Sequence, residues 1–312
     1  MPLQPLVINF HIIENCNYAC RFCYAHWGDP MKGMQMSDEE IERMLRSLAE
    51  YFRSKKFRAQ AARMGIDSSR IRLNIAGGEP TLLPTERLLM IVKQAKSLGF
   101  EVSIISNASF PDRLVALAPH LQMIGISVDS IDEDTNRRIG RANKKGRGKV
   151  LTLDELGDLC IQLRAENPAI ELKLNTVVCS ENVGEDLHEL IRRIRPDRWK
   201  IFKALPAIER IPGDILITDS PFQDFLDRHR EFAPIISSED NDEMQQSYIM
   251  INPEGRFFQN GGRGRDYRCS ERILEVGAEQ AFGQIPFSFE KFAARYPATR
   301  HGDALCSVQR PG

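Results

Sequence analysis

Short apolar runs with a period of two alternate with stretches of helical periodicity along the first two thirds of the chain. A period of two indicates a strand, because successive side chains of a strand point to opposite faces. Six strands are predicted on this basis, at residues 6–13, 71–76, 101–107, 123–128, 170–178 and 199–205. Regular alternation of strand and helix indicates a parallel sheet with right-handed crossovers. We therefore predict an α/β fold, in which residues 1–206 form a partial, open (β/α)6 barrel.

Helix signals occupy the gaps between the predicted strands. Ser37 with Glu40, and Thr152 with Glu155, have the spacing of capping boxes, each ahead of an apolar stripe. Residues 53–70 are basic and lengthen the first crossover. We predict a solvated surface or a loop for this segment.

The pattern changes after Pro206. Residues 220–223 begin a helix with a proline in its first turn. Residues 247–251 and 256–258 are strand-like and flank an Asn-Pro-Glu-Gly turn, which predicts a hairpin. We interpret residues 207–312 as a C-terminal extension that covers the barrel mouth and the active site.

Positive and negative charges balance over the 312 residues, with 42 Lys and Arg against 43 Asp and Glu. A net charge of −1 does not recruit nucleic acid or an anionic membrane, so an anion would need a local site. No apolar run reaches the roughly 18 residues of a membrane span, and the chain opens without a signal-peptide pattern. We expect a cytoplasmic monomer without a membrane anchor. Four of the seven cysteines are scattered, as expected for reduced thiols: Cys160, Cys179, Cys269 and Cys306.

Three cysteines lie close together after the first predicted strand. Cys16, Cys20 and Cys23 have the spacing CxxxCxxC, in a segment too short to form a core of its own. Thiolates at such spacing are ligands for zinc, copper(I) or an iron–sulfur cluster. A structural zinc site needs a fourth ligand, which His11 or His26 could supply. Three cysteines alone suit a [4Fe–4S] cluster with one iron open to an outside ligand.

Cationic side chains share one face of the fifth and sixth predicted strands. Lys173 and Asn175 are two residues apart in one strand, and Arg198 and Lys200 are two apart in the next. If the intervening apolar residues pack against helices, all four side chains point into the barrel. Three cations inside a barrel are costly unless an anion meets them, and a polyphosphate would do so. The alternative is a set of paired surface charges at the strand ends.

The first predicted strand carries a polar pair on one face. Asn9 and His11 interrupt an otherwise apolar run. Polar residues on one face of such a strand indicate a cavity lining, and the alternative is that both are hydrogen-bonded core groups.

The cysteine motif, with Phe22 before its last cysteine, resembles the signature of radical S-adenosylmethionine (SAM) enzymes. In that family the open iron chelates the amino and carboxylate groups of SAM. Residues 77–80, Gly-Gly-Glu-Pro, follow the second strand and resemble the family's GGEP motif, which holds the amino group of SAM.

Further stretches resemble the viperin family over residues 6–260. In chain order they are VINFHIIENCNYACRFCY, LNIAGGEP, SIISNASF, ISVDSIDEDTNRRIGR, LKLNTVV, PDRWKIFKAL and FLDRHREF…EDNDEMQQSYIMI. This resemblance implies conversion of a nucleoside triphosphate to its 3′-deoxy-3′,4′-didehydro analogue. A 5′-deoxyadenosyl radical from SAM would take the ribose C4′ hydrogen, and water would leave with the 3′-hydroxyl. A further electron and proton would complete the product.

The resemblance also implies a role for each candidate residue. The cluster ligands would be Cys16, Cys20 and Cys23. The SAM-binding residues would be Gly77, Gly78, Glu79, Asn107, Ser127, Tyr24 and Arg141, the last on the SAM carboxylate. The triphosphate would be held by Lys173, Arg198 and Lys200, and the sugar side by Asn175. Tyr248 would be the catalytic residue over the ribose, or else an ordinary hairpin aromatic. The remaining substrate contacts would be Asn9 and His11.

The resemblance favours CTP or UTP over GTP as substrate, a flavodoxin- or ferredoxin-like electron donor, and a role in antiviral defence. Animal viperins carry an N-terminal membrane-binding helix and end in an aromatic residue. Because this chain begins at the barrel and ends in Val-Gln-Arg-Pro-Gly, we expect neither feature. The alternatives are a radical SAM enzyme that acts on a peptide or another small molecule, and a zinc-stapled binding module without enzyme activity.

Overall fold

Within the residues that the structure describes, ten strands form one sheet in the order β10-β9-β8-β1-β2-β3-β4-β5-β6-β7. The computed structural model describes residues 4–23, 33–144, 148–204, 211–239, 245–259 and 267–294. The strands are β1 (Gln4–Ile13), β2 (Ile66–Gly77), β3 (Phe100–Ser106), β4 (Met123–Ser127), β5 (Glu171–Val178), β6 (Arg198–Lys203), β7 (Ile236–Glu239), β8 (Ile249–Ile251), β9 (Arg256–Gln259) and β10 (Arg268–Arg272).

Strands β1 to β7 run parallel, and helices lie in the crossovers between β1 and β6. The helices are α1 (Asp38–Phe52), α2 (Lys55–Arg63), α3 (Thr85–Ser97), α4 (Pro111–Leu117), α5 (Glu133–Ile139), α6 (Leu153–Glu166), α7 (His188–Ile194), α8 (Asp219–Arg228), α9 (Ile273–Gly283) and α10 (Phe289–Ala294). Both predicted capping boxes are present, at the starts of α1 and α6. The predicted α/β fold with a parallel sheet is confirmed.

Residues 53–70 are solvated over most of their length, as predicted, but they form α2 and the start of β2 rather than a loop. Ser54 caps α2 by accepting a hydrogen bond from the Phe57 amide at 3.2 Å. Phe57 is buried and its ring centroid lies 4.8 Å from that of Phe52 and 6.2 Å from that of Phe282. The basic composition gives no apolar stripe that would predict this helix. The helix is stabilised by a few aromatic contacts that exist only in the folded chain.

Strands from beyond residue 206 extend both edges of the sheet. Strand β7 pairs with β6, and β8 pairs with β1. The predicted hairpin forms from β8 and β9, which are antiparallel, and β10 pairs with β9. Residue 205, at the predicted end of the sixth strand, lies outside the described residues.

The two faces of the central sheet differ in chemistry. Leu172, Leu174 and Trp199 are buried on the outer face, where the Trp199 ring packs against Phe225 of α8 at 6.3 Å between centroids. The alternation of a strand therefore turns residues at the intervening positions to the inner face. Among the described helices, none combines the length and apolar character that a membrane span requires.

Candidate active site

The three motif cysteines lie on one loop that follows β1 at the carboxyl edge of the sheet. All three are partly exposed. The end of α5 supports this loop, because the Ala19 amide donates to the Gly140 carbonyl at 3.1 Å. Gly140 has φ of +81°, and a Cβ added there would lie 2.2 Å from the Ala19 carbonyl oxygen. Sequence reasoning missed Gly140; a glycine directly after a helix rich in charged residues was the available signal.

The surroundings of the thiols do not favour free thiolates. Burial raises the pKa of Cys16 to about 11 and that of Cys20 to about 12. A negative charge on Cys23 would raise the pKa of both further, so three thiolates here would repel one another. A bound metal would compensate these charges, so the donor set fits an iron–sulfur cluster. Tyr24 and His26 lie outside the described residues.

The Gly-Gly-Glu segment packs directly against the start of the cysteine loop. The Gly78 amide donates to the Ile13 carbonyl at 2.8 Å, and the Glu79 amide donates to the Asn15 carbonyl at 2.9 Å. A Cβ at Gly77 would lie 2.2 Å from the Ile13 carbonyl oxygen, and one at Gly78 equally close to two carbonyl oxygens of the loop. Both glycines are therefore required by the close packing of this backbone against the start of the cysteine loop.

The Glu79 carboxylate is buried and bonded within the protein. It accepts hydrogen bonds from the Thr81 amide at 2.9 Å, the Ser106 hydroxyl at 2.8 Å and the Asn107 amide at 2.6 Å. Burial raises its pKa, and these hydrogen bonds oppose the rise. Glu79 thus joins the end of β2 to the end of β3. The Asn107 side chain extends from there towards the cysteines, donating to Asn17 Oδ1 at 2.9 Å and lying 3.9 Å from Cys16 Sγ.

Arg141 lies directly after Gly140, the residue that caps the end of α5, and Ser127 lies in β4. The Arg141 guanidinium pairs with the buried Asp129 carboxylate, with Nε 2.5 Å from Oδ2, and lies 5.8 Å from the Phe22 ring centroid. Burial alone would lower the pKa of Arg141, but the charges of Asp129 and Cys20 outweigh it and raise that pKa. Ser127 ends β4 and is in register with Asn175 of β5. Sequence reasoning assigned no role to Asp129, although an acid directly after a buried parallel strand was a visible signal.

The four polar residues predicted to share a face of β5 and β6 are paired across the two strands. Lys173 is in register with Arg198, and Asn175 with Lys200. Since Leu172, Leu174 and Trp199 pack outwards, these four positions belong to the inner face. Arg198 and Lys200 both have carboxylate partners, as in the alternative of paired charges. Arg198 is 38% exposed and pairs with Glu171.

Lys200 differs from Arg198 because it is buried, with 7% of its side chain exposed. Its ammonium pairs with Glu239 of β7 and lies 3.4 Å from the Tyr248 hydroxyl. Tyr248 donates its hydroxyl hydrogen to Glu239 Oε2 at 2.5 Å. Sequence reasoning named Lys200 and Tyr248 but gave no role to Glu239, because its strand was not predicted.

His11 is buried, whereas Asn9 is partly exposed. Asn9 Oδ1 accepts from the Asn74 side-chain amide at 2.8 Å, and Asn74 Oδ1 accepts from the Ser103 hydroxyl at 2.9 Å. These three residues form a polar chain across β1, β2 and β3. The His11 ring packs edge-on to Phe258 at 5.3 Å between centroids, and burial lowers the pKa of His11 to about 3. Asn74 and Ser103 were not predicted, although each lies at an inner-face position of its strand.

The chain resembles known proteins both in sequence and in fold. The profile of the Radical SAM superfamily matches residues 10–194. A protein of Psychrobacter lutiphocae named S-adenosylmethionine-dependent nucleotide dehydratase is 41% identical over 295 residues, which cover 94% of this chain and 95% of that protein. A protein of Pseudoalteromonas ulvae with the same name is 38% identical over 298 residues, covering 94% of each. The S-adenosylmethionine-dependent nucleotide dehydratase RSAD2 of Oncorhynchus mykiss is 31% identical over 306 residues, covering 93% of this chain and 79% of that protein.

Solved structures match the fold. The structure of native anSMEcpe with bound AdoMet and Cp18Cys peptide has a TM-score of 0.67 at 14% identity, and the match covers 94% of this chain and 82% of that one. At such low sequence identity, this structural similarity supports the fold alone. The sequence relatives and the superfamily profile decide the family. The chain belongs to the radical SAM superfamily, whose members use SAM with an iron–sulfur cluster, and within it to the viperin-like SAM-dependent nucleotide dehydratases.

Proposed function

We propose that this enzyme converts a nucleoside triphosphate, CTP or UTP rather than GTP, to its 3′-deoxy-3′,4′-didehydro analogue with loss of water. The observation that carries the proposal is the inner-face register of Lys173 with Arg198 and of Asn175 with Lys200. A set of cations beside a neutral amide suits the phosphates and the sugar of a nucleotide. The names of the relatives support a nucleotide substrate. The choice of a pyrimidine and a role in antiviral defence rest on the resemblance to viperins.

The proposed cofactor site would lie at the carboxyl edge of the sheet. Cys16, Cys20 and Cys23 would be the ligands of a [4Fe–4S] cluster, which leaves one iron for SAM. When bound, the cluster and SAM supply the abstraction of the ribose C4′ hydrogen. The residues that would bind SAM are Gly77, Gly78, Glu79, Asn107, Ser127, Arg141 and Tyr24. Of these, Glu79 would act through its backbone and through the loop that its carboxylate holds in place.

The substrate residues would hold the nucleotide by its remote end. Lys173, Arg198 and Lys200 would bind the triphosphate, and Asn175 the sugar side, so that C4′ is oriented towards the cofactor edge. Binding energy from the phosphates would thus position the reacting carbon, which is how distant contacts contribute to a reaction rate. Tyr248 would lie near the ribose, and Asn9 and His11 would line the same cavity.

The C-terminal segment would cover this site. We infer that residues 207–312 form an extension over the barrel mouth, because Glu239 and Tyr248 of that segment contact Lys200 of the barrel. Cover over the site would exclude water from a reactive radical. The proposal includes a monomeric enzyme and a flavodoxin- or ferredoxin-like electron donor, and both of these rest on the resemblance.

The proposal is tested by anaerobic turnover with the reconstituted cluster, SAM and dithionite. CTP, UTP, GTP and ATP are supplied separately, and products are identified by mass spectrometry. We expect a nucleotide lighter by one water from CTP or UTP, with 5′-deoxyadenosine formed in step. Deoxyadenosine at the substrate-free rate with all four nucleotides would overturn the nucleotide proposal and leave the radical SAM family assignment intact.

A further inference from the structure

Glu239 is a buried carboxylate on the inner face of the sheet, and only 3% of the residue is exposed. It ends β7 and is in register with Phe202 of β6, two positions beyond the pair formed by Ser237 and Lys200. Residues two apart in a strand point to the same face, and residues in register share a face. Glu239 therefore points to the same face as Lys200. A carboxylate buried on this face needs partners, because isolated buried charge is strongly unfavourable.

Its two oxygens have different partners. Oε1 pairs with the Lys200 ammonium, and Oε2 accepts the hydroxyl hydrogen of Tyr248 at 2.5 Å. The Lys200 ammonium also lies 3.4 Å from the Tyr248 hydroxyl oxygen and 5.7 Å from the centre of its ring. The three groups form a closed triangle, which we call the Glu239 triad (Lys200, Glu239 and Tyr248).

The triad connects distant parts of the sheet. Glu239 belongs to β7 at one end of the strand order, whereas Tyr248 directly precedes β8, which pairs with β1 in the other half. A hydrogen bond to a charged acceptor is stronger and more directional than one between neutral groups. The carboxylate thus holds the phenol hydroxyl in one place beside the Lys200 ammonium.

The triad also changes the charge available to a ligand. Lys200 is already opposed by one carboxylate, so an incoming anion must share or displace Glu239. Removing the carboxylate would leave a buried cation whose need for an anion increases. Glu239 thus influences both the hydroxyl next to the site and the affinity of the site for negative charge.

We propose that Glu239 is a positioning residue of the nucleotide site: it fixes the Tyr248 hydroxyl on the inner face and, by neutralising Lys200, limits the affinity for the phosphates. This inference rests on the proposed function for the role of Tyr248 in turnover. The inference has two parts. The positioning component is the effect of Glu239 on Tyr248. The charge component is the effect of Glu239 on Lys200, which applies to any polyphosphate anion and does not depend on the nucleotide reaction.

The charge component is tested by the binding of inorganic tripolyphosphate to the cluster-loaded enzyme, measured by anaerobic calorimetry. Glu239→Gln removes the charge but keeps the side-chain length, and we expect Kd to fall by about 5-fold or more, since about 1 kcal/mol corresponds to that factor. Glu239→Asp keeps the charge, so its Kd should stay within about 2-fold of that of the wild type. Glu279→Gln is the matched control, because Glu279 is 62% exposed in a surface pair with Lys56. A Kd for Glu239→Gln that is unchanged or higher would overturn the charge component, whereas general damage to the fold cannot produce tighter binding.

The positioning component is tested by a double-mutant cycle on kcat. Glu239→Asp moves the carboxylate back by one methylene, and Tyr248→Phe removes only the hydroxyl. We expect each to lower kcat by about 10-fold or more, and the double variant to be no slower than the slower single variant, because both act through one contact. Losses that multiply would overturn the positioning role.

The two proposals fail in different ways. If the wild type forms no nucleotide product from any triphosphate, the proposed function is wrong, and the tripolyphosphate result alone still decides whether Glu239 restrains Lys200. If the wild type turns over while Glu239→Asp matches its kcat, the positioning role is wrong and the proposed function stands.

Discussion

The guanidinium of Arg141 is held by the fully buried carboxylate of Asp129, twelve positions earlier in the chain. The other carboxylate oxygen of Asp129 accepts from the Val177 amide at 2.7 Å. One acid thus connects the loop after β4 to β5 and to Arg141. This arrangement determines where the proposed SAM-binding guanidinium lies.

The Asp129 pair should matter for stability. Asp129→Asn leaves a nearly buried guanidinium without its counter-charge, and we expect a loss of about 3–5 kcal/mol in the free energy of unfolding. The matched control is Asp134→Asn, which removes an acid that is 79% exposed from a surface pair with Arg137 and should cost less than about 1 kcal/mol. Urea unfolding of both variants measures the difference. Equal losses would show that Asp129 does not hold a buried charge.

Gly140 should be required for the cysteine loop. In Gly140→Ala the new Cβ meets the Ala19 carbonyl oxygen, so the loop must move. We expect iron content after reconstitution to fall at least about 2-fold, with a strain of roughly 1–3 kcal/mol from the left-handed backbone. Gly65→Ala is the control, since its φ of +76° is similar and no atom lies within 4 Å of the added Cβ. Iron content and circular dichroism are measured on both, and equal iron content would argue against the contact.

The burial of His11 predicts loss of stability in acid. The folded-state pKa of about 3 lies below the ordinary value of 6.5, so the unfolded chain binds a proton between these limits and the folded chain does not. Stability is therefore lost as pH falls below 6.5, and His11 alone accounts for about 2 kcal/mol by pH 5. The pKa of His229 is also lowered, mainly by burial. His229 therefore also contributes to the loss of stability in acid.

His11→Gln separates the two histidines. This variant lacks the titrating ring at residue 11 and keeps His229, so its stability should fall less between pH 7 and pH 5 than that of the wild type. The free energy of unfolding at the two pH values provides the comparison. An identical fall in both proteins would assign the acid sensitivity elsewhere.

Lys173 should contribute binding rather than chemistry. Lys173→Ala removes one charge from the inner face, and we expect KM for the triphosphate to rise about 10- to 100-fold, since a hydrogen bond to a charged group contributes about 1.5–3 kcal/mol. The rise should be smaller for the corresponding monophosphate. Lys56→Ala, in the exposed pair with Glu279, is the control and should leave KM unchanged. An unaltered KM for Lys173→Ala would remove Lys173 from the proposed phosphate site.

Structural features that depend on residues close together in the sequence were predictable from it. The six barrel strands follow from alternation, and the capping boxes of α1 and α6 from residues three apart. The cysteine spacing and the Gly-Gly-Glu-Pro turn indicated the cofactor chemistry in the same way. Helix α2 was missed, because Phe57 finds its aromatic partners only after the chain has folded.

The sequence by itself determined the class of fold, the type of cofactor and the residues that could meet an anion. Tertiary structure alone decided the partners of three of these charges: Arg198 pairs with Glu171, Lys200 with Glu239, and Arg141 with Asp129. The reason is physical. The sequence gives the charge of each side chain. The partner of that charge depends on the register between strands and on burial, and the packing of the whole sheet sets both.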